Sequence, residues 1–216
     1  MFLGIDLTSS ETKPSACLGL NDRLEVVYYG LLNSDSDIAT QVSINSPRVI
    51  AIDAPLSLPL GLRCLEESCG CRPKSPWKGR WCERELVHAA IPCYFTAKKS
   101  IIKRMVHRGI SLKGALSRQG CAVIEVYPYA SKVRLFGKPV PSKTTAWGLH
   151  WLREKLSILL NSRNPYLDKW NHDLCDAAVA AYTGFLYAHE RTEAVGGAEE
   201  GMIYLPRDSC GRREDG

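Results

Sequence analysis

Short apolar runs separated by polar turns dominate the chain, and most have the length and β-rich composition of strands. The run from Val49 to Ile52 is apolar at every position, which is typical of a strand buried on both faces. Asn21, Asp22 and Arg23 form a tight connection between two other runs and predict a hairpin. The predicted strands are residues 2–6, 15–21, 24–32, 48–53 and 121–128, followed by a terminal strand at 199–207.

Helical periodicity appears between and after these strands. Cap-type residues followed by Ile38, Val42 and Ile44 predict a short helix over 34–45. Apolar residues at helical spacing also predict an amphipathic helix over 144–160. The other predicted helices are residues 82–90, 98–108 and 173–190.

The order of these elements predicts an α/β fold. Three strands come first and favour antiparallel pairing, whereas the later strands are joined through helices, so we expect a mixed sheet with helices on its faces. We predict one domain over residues 1–206 and an irregular, basic insertion over about 60–120. The last residues, 207–216, have the composition of a flexible tail.

Composition supports an ordinary globular protein. The chain has 216 residues, of which 45% are apolar and 24% charged, and a formal net charge of +5 permits a polyanionic partner without requiring one. No apolar run approaches the roughly 18 residues of a membrane span, and the first residues lack the basic start of a signal peptide. We therefore expect a cytoplasmic protein without membrane partners, whose nine cysteines are free thiols or metal ligands.

Acidic residues occur where strongly apolar segments end. Asp6 ends the first strand, Asp53 ends the fourth, and Glu125 lies in the fifth. Asp173 and Asp176 lie early in the final helix, whose next residues, AAVAAYTG, are small enough to let it approach the sheet closely. A lone aspartate at a strand or helix end is usually a turn or capping residue, and Asp173 fits that description best.

Three carboxylates that converge at Asp6, Asp53 and Asp176 would repel one another and raise one another's pKa. Divalent cations relieve this repulsion, because hard ions prefer oxygen ligands. Two such ions about 3.5–4 Å apart can hold the attacking and leaving oxygens of a phosphoryl displacement. We therefore expect Mg²⁺ or Mn²⁺ here, with two ions bound.

Seven segments, in order, resemble an uncharacterised family described as predicted nucleases of the RNase H-like fold. The resemblance implies an RNase H-like mixed five-stranded sheet with flanking helices and a basic, cysteine-containing insertion after the fourth strand. It also implies metal-dependent hydrolysis of nucleic acid, DNA or RNA, with catalytic acids at Asp6, Asp53 and Asp176 and a fourth candidate at Glu125. The segments are GID (4–6), IDAPLSLP (52–59), RWCE (80–83), MVHRGISLKGAL (105–116), VIEVYP (123–128), DAAVAAYTG (176–184) and EEGMIYLP (199–206).

Basic residues cluster in the insertion, with Trp77, Trp81, Tyr94 and Phe95 just upstream. Such a combination suits nucleic acid, because cations contact phosphates and aromatic rings stack on bases. The same pattern is also typical of a solvated helix face whose apolar residues pack inward. The candidate nucleic-acid-binding residues are Lys98, Lys99, Lys103, Arg104 and Arg108.

Four cysteines lie within nineteen residues of the insertion: Cys64, Cys69, Cys71 and Cys82. Thiolates this close in sequence could bind a structural zinc ion or an iron–sulfur cluster. Their spacing departs from the paired CxxC pattern, so free thiols remain the alternative.

Two other functions are compatible with the sequence. The first is a nucleic-acid-binding protein whose RNase H-like core is inactive. The second is a phosphotransferase or ATPase of the actin-like kind, because GIDLTSSETK (4–13) resembles the first phosphate loop of sugar kinases. Such enzymes usually carry two related domains and a second glycine-rich phosphate segment, which this sequence lacks. The sequence does not determine the oligomeric state.

Overall fold

A computed structural model describes residues 1–10, 13–160 and 166–207. Residues 208–216 of the predicted tail and part of the GIDLTSSETK segment, Glu11 and Thr12, lie outside these residues. The strands are β1 (Phe2–Asp6), β2 (Ser15–Leu20), β3 (Val26–Leu32), β4 (Val49–Asp53), β5 (Ala122–Val126), β6 (Thr192–Gly197) and β7 (Gly201–Pro206). The α-helices are α1 (Asp35–Asn45), α2 (Trp81–His88), α3 (Lys103–Ser117), α4 (Pro128–Phe136), α5 (Ala146–Leu159) and α6 (His172–Ala188), and Leu167–Lys169 forms a 3₁₀ turn.

One mixed sheet contains all seven strands in the order β3-β2-β1-β4-β5-β7-β6. The central strands β1, β4, β5 and β7 are parallel, while β2, β3 and β6 pair antiparallel with their neighbours. The predicted α/β class and mixed sheet are therefore confirmed, with the hairpin strands first and the parallel strands later. The sheet has seven strands rather than five.

Among the described residues, one strand and one α-helix were not predicted from the sequence, and each has a physical reason. Strand β6 carries two glycines, lies at the sheet edge and is only partly buried, so its alternation pattern is weak. Helix α4 begins with Pro128 at its first turn, a favoured position for proline that we assigned to the end of a strand. The helix predicted over 98–108 begins at Lys103 and continues to Ser117.

The alternation of side chains divides β1 and β4 between two cores. Leu3 and Ile5 face one side of the sheet, where they pack with Ile50 and Ile52 against α1 and α3. Phe2 belongs to the core on the other side, which α6 covers. Helix α5 packs on that same side, over β2 and α6.

Helix α6 lies unusually close to the sheet at Gly4. A Cβ atom at this position would lie 2.0 Å from the carbonyl oxygen of Ala177 and 2.3 Å from the backbone nitrogen of Ala181. Real Cβ atoms do not approach backbone atoms this closely, so only glycine fits here. The small residues predicted to let this helix approach the sheet therefore do so, and they bring its first turns close to the ends of β1 and β4.

No helix in the described part of the chain combines the length and the apolar character that a membrane span requires.

Candidate active site

Asp6 and Asp53 are brought side by side by the register of the sheet. Strands β1 and β4 pair in parallel with Asp6 directly opposite Asp53, so both side chains lie on the same face. That face is the one covered by α6, because Val49 and Ala51, which alternate with Asp53, pack against it. Asp176 lies in the second turn of α6 and is only 3% exposed.

Burial and mutual repulsion act on the carboxyl groups of Asp6 and Asp53. Burial, followed by the negative charge of Asp176, raises the pKa of Asp6 from 3.8 to about 7. The pKa of Asp53 is raised well above its ordinary value, first by burial and then by the charges of Asp6 and Asp176. The predicted convergence of these three acids is therefore present in the structure.

Two lysines that the sequence analysis did not identify face the acids. The buried Lys132 of α4 donates from its Nζ to Asp176 Oδ1 over 2.8 Å, and the exposed Lys143 donates to Oδ2 over 3.3 Å. Their positive charges partly oppose the rise in the pKa of Asp6. Lys132 could have been identified only through helix α4, which the sequence pattern did not predict. Lys143 lies in an irregular segment where no sequence pattern indicates a functional residue.

Glu125, the fourth candidate acid, faces the opposite side of the sheet. In the β4–β5 pairing Val126 lies opposite Asp53, whereas Glu125 lies opposite Ile52, which belongs to the core under α1 and α3. The structure therefore does not place Glu125 with the three aspartates.

The partner of Glu125 is Arg80, the first residue of the RWCE segment (80–83), for which the sequence predicted no role. Arg80 donates from Nη1 to Glu125 Oε2 over 2.7 Å and from Nη2 to Oε1 over 2.6 Å, and both side chains are buried. The same guanidinium binds Glu83 through Nε, and the backbone N–H of Leu56 donates to Glu125. This bidentate pair ties the insertion to the sheet.

The five predicted nucleic-acid-binding residues divide into two groups. Lys98 donates a hydrogen bond to the carbonyl oxygen of Cys69. The Nζ atom of Lys103 lies 3.8 Å from the Oε2 atom of Glu66. Arg108 forms an ion pair with Asp35 and donates to the carbonyl oxygen of Thr8. These three side chains hold the insertion and the loop after β1 in place. Lys99 and Arg104 are exposed.

Comparisons with known proteins place the chain in a family without assigning it an activity. The model of the family described as "Protein of unknown function (DUF429)" matches residues 4–200. The chain belongs to this family. No curated protein matches it. Among solved structures, "Thermus thermophilus RuvC structure" is similar at 12% identity and a TM-score of 0.44, over 87% of this chain and 95% of that one. A similarity this distant does not assign a shared activity.

Three of the four candidate metal-binding cysteines of this DUF429 protein converge. The sulfur atoms of Cys64, Cys69 and Cys71 all lie within 4.8 Å of one another. Cys82 does not join them, and its prediction as the fourth ligand is wrong. It is fully buried in an apolar cluster with Leu86 and other residues, and burial raises the pKa of its thiol to about 12.

A first prediction concerns Glu125. Replacing it by glutamine removes the anionic partner of both Nη atoms of the buried Arg80 guanidinium and leaves only Glu83, on Nε, which we expect to destabilise the DUF429 fold by about 3 kcal/mol. The free energy of unfolding, measured by urea titration, tests this.

The double variant Arg80→Met/Glu125→Leu serves as the control, because it removes both charges. It should lose less stability than the sum of the two single variants. If Glu125→Gln unfolds like the wild type, Glu125 is not held in the pair described here.

A second prediction concerns pH. Because the pKa of Asp6 is about 7 in the folded chain and 3.8 unfolded, folding takes up a proton between about pH 4 and 7, and stability falls as pH rises through that window. The Asp6→Asn variant has no carboxyl group to ionise at this position, so it should not show this fall in stability. Without divalent ions, its melting temperature should exceed that of the wild type at pH 8 and equal it at pH 4.

Asp22→Asn is the matched control, since Asp22 is exposed and pairs with Arg48 at the surface. Its melting temperature relative to the wild type should not change between pH 4 and pH 8. An Asp6→Asn variant that is less stable than the wild type at pH 8 would contradict the electrostatics described above.

Proposed function

We propose that this protein is a divalent-metal-dependent nuclease that hydrolyses phosphodiester bonds of nucleic acid. The observation that carries the proposal is the convergence of Asp6, Asp53 and Asp176 at one end of the sheet, with the pKa of Asp6 raised to about 7. A fold that places three acids together in a partly buried site has an unfavourable excess of negative charge there. A bound cation removes that excess.

The residues present fit Mg²⁺ or Mn²⁺. All three groups offer hard carboxylate oxygens, which these ions prefer. The two lysines at Asp176 do not remove the repulsion among the acids, since the charges of Asp176 and Asp173 still add to burial, the largest cause, in raising the pKa of Asp6. Each carboxylate has about four lone-pair positions, so Asp176 can keep its lysine contacts and still offer an oxygen to a metal.

The charges of the site favour one divalent ion, whereas the sequence led us to expect two. Asp6, Asp53, Asp176 and the nearby Asp173, all ionised, together with the two lysines give a net charge of −2, which one divalent ion neutralises. A phosphodiester carries one negative charge, so the site with one ion and one substrate phosphate has a net charge of −1. A second divalent ion would leave a net positive charge and would lack the fourth acid, since Glu125 binds Arg80.

Each residue then has a role that its position supports. When bound, the cation acts as a Lewis acid and lowers the pKa of a coordinated water. Asp6, Asp53 and Asp176 would hold it, and the buried Lys132 fixes the orientation of Asp176. The exposed Lys143 is the group at this site that can reach a substrate phosphate from the solvent side.

A cavity beside Asp53 suggests how the substrate lies. Tyr94, Tyr127 and apolar side chains such as Met105 line it together with the buried Arg80–Glu125 pair, so the cavity lies on the Glu125 side of the sheet, and Tyr94 is 64% exposed. Aromatic and apolar walls fit an unstacked base. The exposed Lys99 and Arg104 offer charges for the backbone of the strand. We therefore favour single-stranded or frayed nucleic acid over an intact duplex.

Cleavage of a labelled panel of single-stranded, duplex and branched DNA and RNA tests the proposal. With Mn²⁺ or Mg²⁺ the wild type should cut at least one member, and EDTA should stop it. The Asp53→Asn variant should lose the cation, a Lewis acid that stabilises the transition state by several kcal/mol. Its cleavage rate should therefore fall by about a thousandfold. Asp22→Asn should cut like the wild type.

Binding without cleavage would contradict the nuclease and favour a nucleic-acid-binding protein with an inactive core. In that case Asp53→Asn should bind the panel as the wild type does. The affinity should also fall with salt, because phosphate contacts release counterions.

A further inference from the structure

The segment between β4 and α2, residues 54–80, is long and contains no helix or strand. Loops longer than about 12–15 residues without secondary structure are uncommon in compact domains and usually have a functional reason. Between Arg63 and Lys74 most side chains are exposed, and only Leu65 and Cys71 are buried. Apolar packing therefore contributes little to holding this part of the loop.

The three converging thiols lie in this part. Cys64, Cys69 and Cys71 come from a stretch of eight residues, and their sulfur atoms lie within 4.8 Å of one another. We propose that these cysteines bind one Zn²⁺ ion, which cross-links the loop, and that a water molecule occupies the fourth position. This site is separate from the aspartate site and does not depend on the proposed nuclease activity.

The spacing of the sulfur atoms favours a single ion. A zinc–sulfur bond of about 2.3 Å places two thiolates of a tetrahedral site about 3.8 Å apart, which is compatible with sulfur atoms that all lie within 4.8 Å of one another. A [4Fe–4S] cluster binds each thiolate to a separate iron atom and so holds the sulfur atoms further apart, and a [2Fe–2S] cluster places only two of its four thiolates on each iron. Soft thiolate ligands also favour zinc over Mg²⁺ or Mn²⁺, so the two sites select different metals.

The surroundings of the thiols also suit such an ion. Cys64 and Cys69 are partly exposed, which leaves the fourth position open to solvent. Three thiolates and one Zn²⁺ carry a net charge of −1, and the ammonium of Lys98 lies next to them on the carbonyl oxygen of Cys69. The loop also faces α3, because Glu66 lies 3.8 Å from Lys103. A metal that fixes the loop would therefore also fix its position against the basic helix.

Metal analysis of the purified full-length chain tests the proposal. Protein expressed with zinc in the medium should contain one zinc ion per chain, and Cys64→Ser, Cys69→Ser and Cys71→Ser should each lose it. Cys121→Ser is the matched control, since this partly buried cysteine lies outside the cluster. It should retain the ion. Asp6→Asn should retain it too, which separates this site from the aspartates.

Limited trypsin digestion of the wild type gives a second readout that does not depend on a variant folding. Arg63 and Lys74 are exposed and flank the cysteines. A zinc chelator should speed cleavage at these two residues while circular dichroism stays unchanged. The proposal is overturned if the wild type holds no zinc, if Cys71→Ser holds as much as the wild type, if the protein contains an iron cluster, or if two of these cysteines form a disulfide.

Discussion

The parallel pairing of β1 with β4 is the constraint on which the site depends. It fixes Asp6 opposite Asp53 on one face of the sheet, and α6 covers that face closely enough for Asp176 to join them. The close approach requires Gly4, where a Cβ atom would collide with the backbone of the helix. The same packing that builds the core therefore buries carboxylates and forces them together, and the pKa of Asp6 is raised first by burial and then by the charge of Asp176.

A second buried charge cluster, on the other side of β5, positions the insertion. Arg80 binds Glu125 and Glu83, and Glu200 accepts hydrogen bonds from the backbone N–H groups of Leu60 and Trp81. These carboxylates attach an irregular segment to the sheet next to the apolar contacts that Cys82 and Leu86 make with Ile203. Truncating one partner of such a buried pair costs far more than the pair contributes in net stability. We infer that this cluster keeps the insertion, with its basic helix and cysteine cluster, in a fixed position beside the aspartates.

Much of this arrangement could be predicted from the sequence, because β1, β4 and the small-residue helix have strong patterns. Asp6, Asp53 and Asp176 follow from where those patterns begin and end. The role of Glu125 could not be predicted, since β5 is apolar on both sides of it and only the register with β4 shows which face it takes. Lys132 and Lys143 were missed because their elements carry weak signals. Cys82 was grouped with the other cysteines by sequence distance, whereas helix α2 turns it into the core.

The central claim is that three aspartates, opposed by two lysines, hold one divalent cation. The most direct test is a calorimetric titration of the metal-free protein with Mn²⁺ at pH 8. Mn²⁺ is suitable because it prefers oxygen ligands to the thiols. The account predicts one Mn²⁺ bound per chain in the wild type and in Cys71→Ser, and none in Asp6→Asn or Asp53→Asn. Equal Mn²⁺ binding by the wild type and Asp6→Asn, or no binding by either, would contradict it.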